Sequence, residues 1–130
     1  MHSFKNLKKK PYIIAEISSN HSKNLNTAIK TIEAAARAGA DAVKTQLFKP
    51  SSLTIPDRTF SPKIEDPKSP WNGYLLYDLY EKAALPYEWY VDLKKCAEHN
   101  SIDIFASVFD IESVDFLRKL QFHLIKIYSF

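Results

Sequence analysis

Two lysines set inside apolar runs carry the clearest chemical message of this sequence. Lys44 sits in Asp41-Ala42-Val43-Lys44-Thr45-Gln46-Leu47-Phe48, and Lys126 in His123-Leu124-Ile125-Lys126-Ile127-Tyr128-Ser129-Phe130. A lysine in such a run is costly unless it is paired or liganded. Read as lying on neighbouring strands, the two suggest an anion site, since each offers a compact charge and three donors. Phosphate or carboxylate is the natural guest. The alternative is that each lysine snorkels to a strand end or pairs with Glu16 or Asp110, and pattern alone leaves both readings open. Gln46 lies two residues from Lys44 and so shares its face of a strand. Glu16 followed by Asn20 and His21, Ser107 followed by Asp110, and Ser129 after Lys126 are the other polar groups at the ends of apolar runs.

These groups need elements to position them. Residues 12–17 read as a strand covered on both faces. A helix is expected over 25–38, with Gly39 as its stop. Residues 41–48 form the second strand, and the proline-rich stretch 49–70 is a long loop, either functional or disordered. Helices are expected over 75–84 and from Pro86 to about residue 99, with Pro86 in the first turn. A third strand covers 102–109, Asp110 caps a helix over 111–120, and a fourth strand covers 122–130. Strands alternating with helices imply parallel pairing with right-handed crossovers, and parallel α/β folds gather their functional groups at the C-terminal ends of strands.

Composition narrows the function classes. The chain has 130 residues, 45% hydrophobic and 25% charged, enough for one domain or part of one. The net charge of +3 owes much to Lys5, Lys8, Lys9 and Lys10 in a basic tail, expected to be disordered over residues 1–10. Without that tail the balance is near neutral, which argues against a nucleic-acid partner. No apolar run reaches the roughly 20 residues of a membrane span. The lone cysteine, Cys96, fits a reducing cytoplasm and reads as core rather than nucleophile. His2, His21, His99 and His123 show no metal-ligand spacing.

Several segments together resemble the N-acetylneuraminate synthase family, and within it the pseudaminic acid synthase branch. They are Ile13-Ile14-Ala15-Glu16-Ile17-Ser18-Ser19-Asn20-His21, Ala38-Gly39-Ala40-Asp41-Ala42-Val43-Lys44-Thr45-Gln46, Phe109-Asp110 with Ser113-Val114-Asp115-Phe116-Leu117, and Lys126-Ile127-Tyr128-Ser129-Phe130. Trp71-Asn72-Gly73, Leu76-Tyr77-Asp78-Leu79-Tyr80 and Pro86-Tyr87-Glu88-Trp89 favour the pseudaminic branch.

The resemblance implies a (β/α)8 barrel that condenses phosphoenolpyruvate with an acetamido-sugar. Such barrels take about 250 residues. The expectation is therefore the N-terminal half of a barrel, about four βα units over residues 11–130, truncated after the fourth strand and inactive by itself. The alternative is a non-catalytic remnant, or a half that assembles with a separate C-terminal half.

The resemblance also implies a divalent metal, Mn or Mg, held by ligands later in the barrel and not by this chain, and a homodimer. By it, Glu16, Lys44 and Lys126 are catalytic: the lysines hold the phosphate and carboxylate of phosphoenolpyruvate, and Glu16 acts near the sugar carbonyl. Gln46, Ser107 and Ser129 add hydrogen bonds, while Asn20 and His21 line the sugar side. Position 128, small in the family, is Tyr128 here. It shares the face of Lys126 and is expected to crowd the phosphoenolpyruvate site. Where the family has a glycine before the third strand, Asn100 is expected to take a left-handed cap.

Overall fold

The computed structural model describes residues 10–128, so Ser129 and the basic tail before Lys10 lie outside the described residues. Lys10 itself is described, with its ammonium 3.7 Å from Asp41. Strands β1 (Ile14–Ser18), β2 (Ala42–Leu47), β3 (Asp103–Val108) and β4 (Ile125–Ile127) form one sheet, ordered β1-β2-β3-β4, with every pair parallel. Helices α1 (Leu25–Arg37), α2 (Leu76–Ala83), α3 (Tyr90–His99) and α4 (Ile111–Lys119) form the crossovers. The strand order never reverses. That is the winding of a barrel and not of a doubly wound sheet, whose order reverses at a switch point.

Period-2 alternation divides the sheet into two faces. Ile17, Val43, Leu47, Ala106 and Val108 point toward the helices and join the core with Ala28 and Ile32 of α1, Leu93 and Ala97 of α3, and Leu117 of α4. Tyr90, fully buried at the start of α3, shares a 2.9 Å hydrogen bond with Thr45 on β2. Cys96 is half-buried on α3, and burial raises its thiol pKa, in keeping with a core role.

Three helices end in the same way. After α1, Gly39 adopts φ +86°, with Gly39 N–H on Ala36 O and Ala40 N–H on Ala35 O. After α3, the left-handed residue is Ser101 (φ +54°), not Asn100, whose φ is −90°. Ser101 N–H reaches Glu98 O and Ile102 N–H reaches Ala97 O. After α4, Gln121 (φ +57°) does the same, with its N–H on Arg118 O and Phe122 N–H on Leu117 O. This pattern satisfies carbonyls that have no partner within the helix. Asn100 stays right-handed and turns its side-chain amide back to Cys96 O at 2.8 Å.

Other expectations shift for local reasons. Pro86 is extended (ψ 134°), so a 3-10 turn at Tyr87–Trp89 intervenes and α3 starts only at Tyr90. Strand β4 starts at Ile125 instead of residue 122, because Phe122 N–H already serves the end of α4. The first strand is not covered on both sides: Ile13 and Ile14 are exposed along the outer strand. The long loop is ordered. It holds a 3-10 turn at Pro50–Ser52 and an antiparallel bridge between Lys63 and Leu75, and Arg58 ties it to Asp78 and Glu81 of α2.

Candidate anion-binding site

The sheet face turned away from the helices carries the polar residues, and strand register arranges them in tiers. Glu16 pairs with Lys44 and Lys44 with Phe105, which gives the lower tier. Gln46 pairs with Ser107 and Ser107 with Lys126, which gives a second tier two residues closer to the C-terminal ends. Lys44 and Lys126 are therefore not on neighbouring strands: β3 lies between them, and they sit one tier apart. A cleft of about 550 Å³ runs along this face, lined by Ile14, Glu16, Lys44, Phe105, Leu124, Ile125 and Lys126.

Glu16 and Lys44 form an ion pair, with Oε2 of the carboxylate on Nζ. Glu16 Oε1 also accepts the backbone N–H of Ser18 at 3.1 Å, bracing the irregularity where β1 loses register with β2. Ser18 has φ +42°, so this carboxylate supports a left-handed residue. The alternative reading thus holds for Lys44, which is paired to Glu16. Glu16 and Lys44 cancel, and Lys126 brings one net positive charge to the cleft lining.

Above these tiers lies a third that the sequence reading missed. Phe48, Phe109 and Tyr128 each fall two residues beyond Gln46, Ser107 and Lys126. Their rings form a row: Phe48 to Phe109 at 5.7 Å and Phe109 to Tyr128 at 4.8 Å, with Tyr80 of α2 closing the far end 6.0 Å from Phe48. The signal was present as an i, i+2 repeat, legible only once strand register is known. Tyr128, expected to crowd the phosphoenolpyruvate site, is not among the residues that line the cleft. Its ring packs on Phe109 beyond the cleft, and its face receives the Lys126 ammonium at 5.3 Å from the centroid.

Asn20 and His21 are not brought to the cleft. They border a separate small recess with Ile17, Ala28 and Leu85. His21 is buried, and both ring nitrogens are engaged: Lys23 N–H donates to Nδ1 at 3.1 Å, so Nε2 carries the proton and donates to Ala83 O at 3.2 Å. Its ring meets Trp89 edge-on. Burial lowers its pKa; the Ala83 contact acts in the opposite direction, and nearby Lys23 lowers it further. This histidine pins the β1 loop to the end of α2.

Asp110 also serves structure. Its carboxylate accepts Ser113 N–H at 2.6 Å as the cap of α4 and takes the hydroxyl of Ser52 from the long loop. Burial raises its pKa, but the bonds from Ser52 and Ser113 and the charge of Lys49 outweigh that and leave it lowered. Lys49 and Glu112 add a 2.6 Å contact beside it.

Among the described residues, no three His, Cys, Asp or Glu side chains converge as a metal site requires. No helix of the described residues is long and apolar enough to cross a membrane.

Comparison with known proteins decides the family. A model of the NeuB family matches residues 31–130. The chain belongs to the NeuB family. A pseudaminic acid synthase from Campylobacter jejuni is 42% identical over 125 residues, covering 96% of this chain and 36% of that protein. An N,N'-diacetyllegionaminic acid synthase from the same species is 36% identical over 121 residues, covering 93% and 36%. The crystal structure of the sialic acid synthetase of Leptospira borgpetersenii, in complex with citrate, superposes with a TM-score of 0.72 at 25% identity, covering 89% of this chain and 35% of that one. This NeuB-family chain thus spans about a third of the length of the curated relatives it matches. Its fold is the expected one: parallel βα units of a (β/α)8 barrel, four strands of them in this chain.

Proposed function

We propose that this chain supplies the phosphoenolpyruvate-facing part of a synthase that condenses phosphoenolpyruvate with an acetamido-sugar, the product being a sialic-acid-like acid of the pseudaminic type. One observation carries the reading: Glu16, Lys44 and Lys126 line a single cleft in a chain 42% identical to a pseudaminic acid synthase. The cationic surplus at Lys126 suits the phosphate or carboxylate of phosphoenolpyruvate. Ser107 and Gln46 share the tier of Lys126 without lining the cleft themselves, and we assign them hydrogen bonds to the same anion. Glu16 shares the cleft with both lysines and pairs with Lys44, and we assign it a part in proton handling near the sugar carbonyl. Asn20 and His21 are not assigned to the sugar, since His21 has no ring nitrogen to spare.

The test is equilibrium binding of phosphoenolpyruvate to the chain by calorimetry. Saturable binding that weakens with added salt and is lost in Lys126→Gln supports the reading; no binding at millimolar ligand overturns it.

Ile13 and Ile14 on the β1 side and Ile127 on β4 are exposed, the last at 80%. Among the described residues β1 and β4 are the outer strands of the sheet, and outer strands with apolar side chains attract further strands. We infer that additional strands complete the sheet on both sides, from the same polypeptide or from a second one. Light scattering of the purified chain checks this, and a well-behaved monomer would count against it.

A further inference from the structure

We propose that Tyr128 is a positioning residue for the anion site: its ring, braced by Phe109, holds the ammonium of Lys126 at the rim of the cleft. This rests on the proposed anion reading and deepens it, since nothing above gives Tyr128 a role beyond avoiding the cleft.

Three observations carry the inference. The first is direct contact, the Lys126 Nζ standing 5.3 Å from the centroid of the Tyr128 ring, inside the range of a cation–π attraction. The second is bracing. Tyr128 stacks on Phe109 at 4.8 Å with a 33° tilt, and Phe109 meets Phe48, which is buried. The third is register. Tyr128 N–H bonds to Val108 O at 3.3 Å, so parallel pairing with β3 extends past Ile127 and fixes the ring one tier above its lysine.

The physical consequence concerns flexibility. An exposed lysine has many rotamers, and binding an anion freezes most of them. A ring that already restricts the ammonium removes part of that cost, as any preorganised group does. With three donors on the ammonium, a contact to the ring on one side leaves others for an incoming phosphate oxygen. An aliphatic side chain at position 128 lacks the negative ring face and leaves Lys126 mobile. Phenylalanine keeps that face. The tyrosine hydroxyl is therefore dispensable for this role, whereas the ring is not.

The experiment compares the wild type, Tyr128→Phe and Tyr128→Leu, with proton–carbon NMR of the lysine ε-methylene and titration of inorganic phosphate and phosphoenolpyruvate. In the wild type and Tyr128→Phe, one lysine ε-methylene, assigned by its loss in Lys126→Gln, should be shifted upfield by the ring. In Tyr128→Leu that shift should vanish and phosphate should bind about two- to fivefold more weakly, the range of an exposed cation–π contact. Tyr128 is partly exposed, so its replacement should leave the amide spectrum of the core intact. A wild type with no upfield lysine signal overturns the inference whether or not phosphate binds. So does Tyr128→Leu binding phosphate as well as, or better than, the wild type. A wild type that shows the shift but binds neither anion instead removes the anion reading, and with it any role of Tyr128 in affinity.

Discussion

Glu16 and Lys44 face each other across β1 and β2, and their ion pair decides how much positive charge the cleft presents. Glu16→Gln should release Lys44 and roughly double the cationic surplus. Phosphate should then bind about two- to fivefold more tightly, in line with a partly exposed pair worth at most about 1 kcal/mol. Any condensation activity that depends on the Glu16 carboxylate should fall in the same variant. Tighter binding together with lost turnover separates a proton-handling group from a simple ligand contact; unchanged phosphate affinity would show that the pair does not restrain Lys44.

The buried His21 makes stability depend on pH. Burial lowers its folded pKa, while the unfolded chain takes up a proton near pH 6.5. Above 6.5 both states are neutral and its contribution is fully present. As pH falls below 6.5 the unfolded state gains the proton first, so stability drops until the folded pKa is passed. Urea midpoints at pH 7.5 and 5.5 should show this fall, and His21→Gln should show less of it. An equal pH dependence in both proteins would exclude His21 as its source.

Asp110 works in the opposite chemical sense to a catalytic acid. Its lowered pKa means that its contribution is present above the ordinary carboxylate range and is lost as pH falls through the folded value. Asp110→Ala removes the α4 cap and the link to Ser52, and should cost about 1–2 kcal/mol. Asp110→Asn, which can still accept from Ser113 N–H, should cost less. Thermal melts of both at pH 7 check the order.

Ser101 and Gln121 hold left-handed backbone without being glycine. Ser101→Gly and Gln121→Gly should each stabilise the fold by about 0.5–1 kcal/mol, once the extra freedom that glycine gives the unfolded chain is subtracted. Gly39→Ala should destabilise by a similar amount. Chemical denaturation of the three variants tests both directions.

Much of this was legible in the sequence because apolar periodicity reports which face is buried. The four strands with the helices between them, the Gly39 stop and the Asp110 cap follow from local patterns. What could not be read is lateral. Lys44 and Lys126 looked like neighbours because order along the chain says nothing about the strand between them. Asn100 looked like the left-handed residue because of its type, yet hydrogen-bond geometry moved that role one position to Ser101. His21 looked like a site residue because it follows Glu16, but the turn after β1 carries it to the helix side, where backbone groups of Lys23 and Ala83 use both nitrogens. The packing of Tyr128 on Phe109, from the neighbouring strand, is likewise invisible to a one-dimensional reading.

Strand β4 is only three residues long, and Lys126 is its central residue. Alternation along so short a strand makes the chemistry of the cleft sensitive to a single insertion or deletion upstream. Loss of one residue from the 121–124 connection would reverse the orientation of β4 and offer Ile125 or Ile127 to the anion in place of the ammonium. Composition would be almost unchanged and the sheet could still form, yet the charge would point at the helices. Point substitutions in that connection should therefore be tolerated far better than changes in its length.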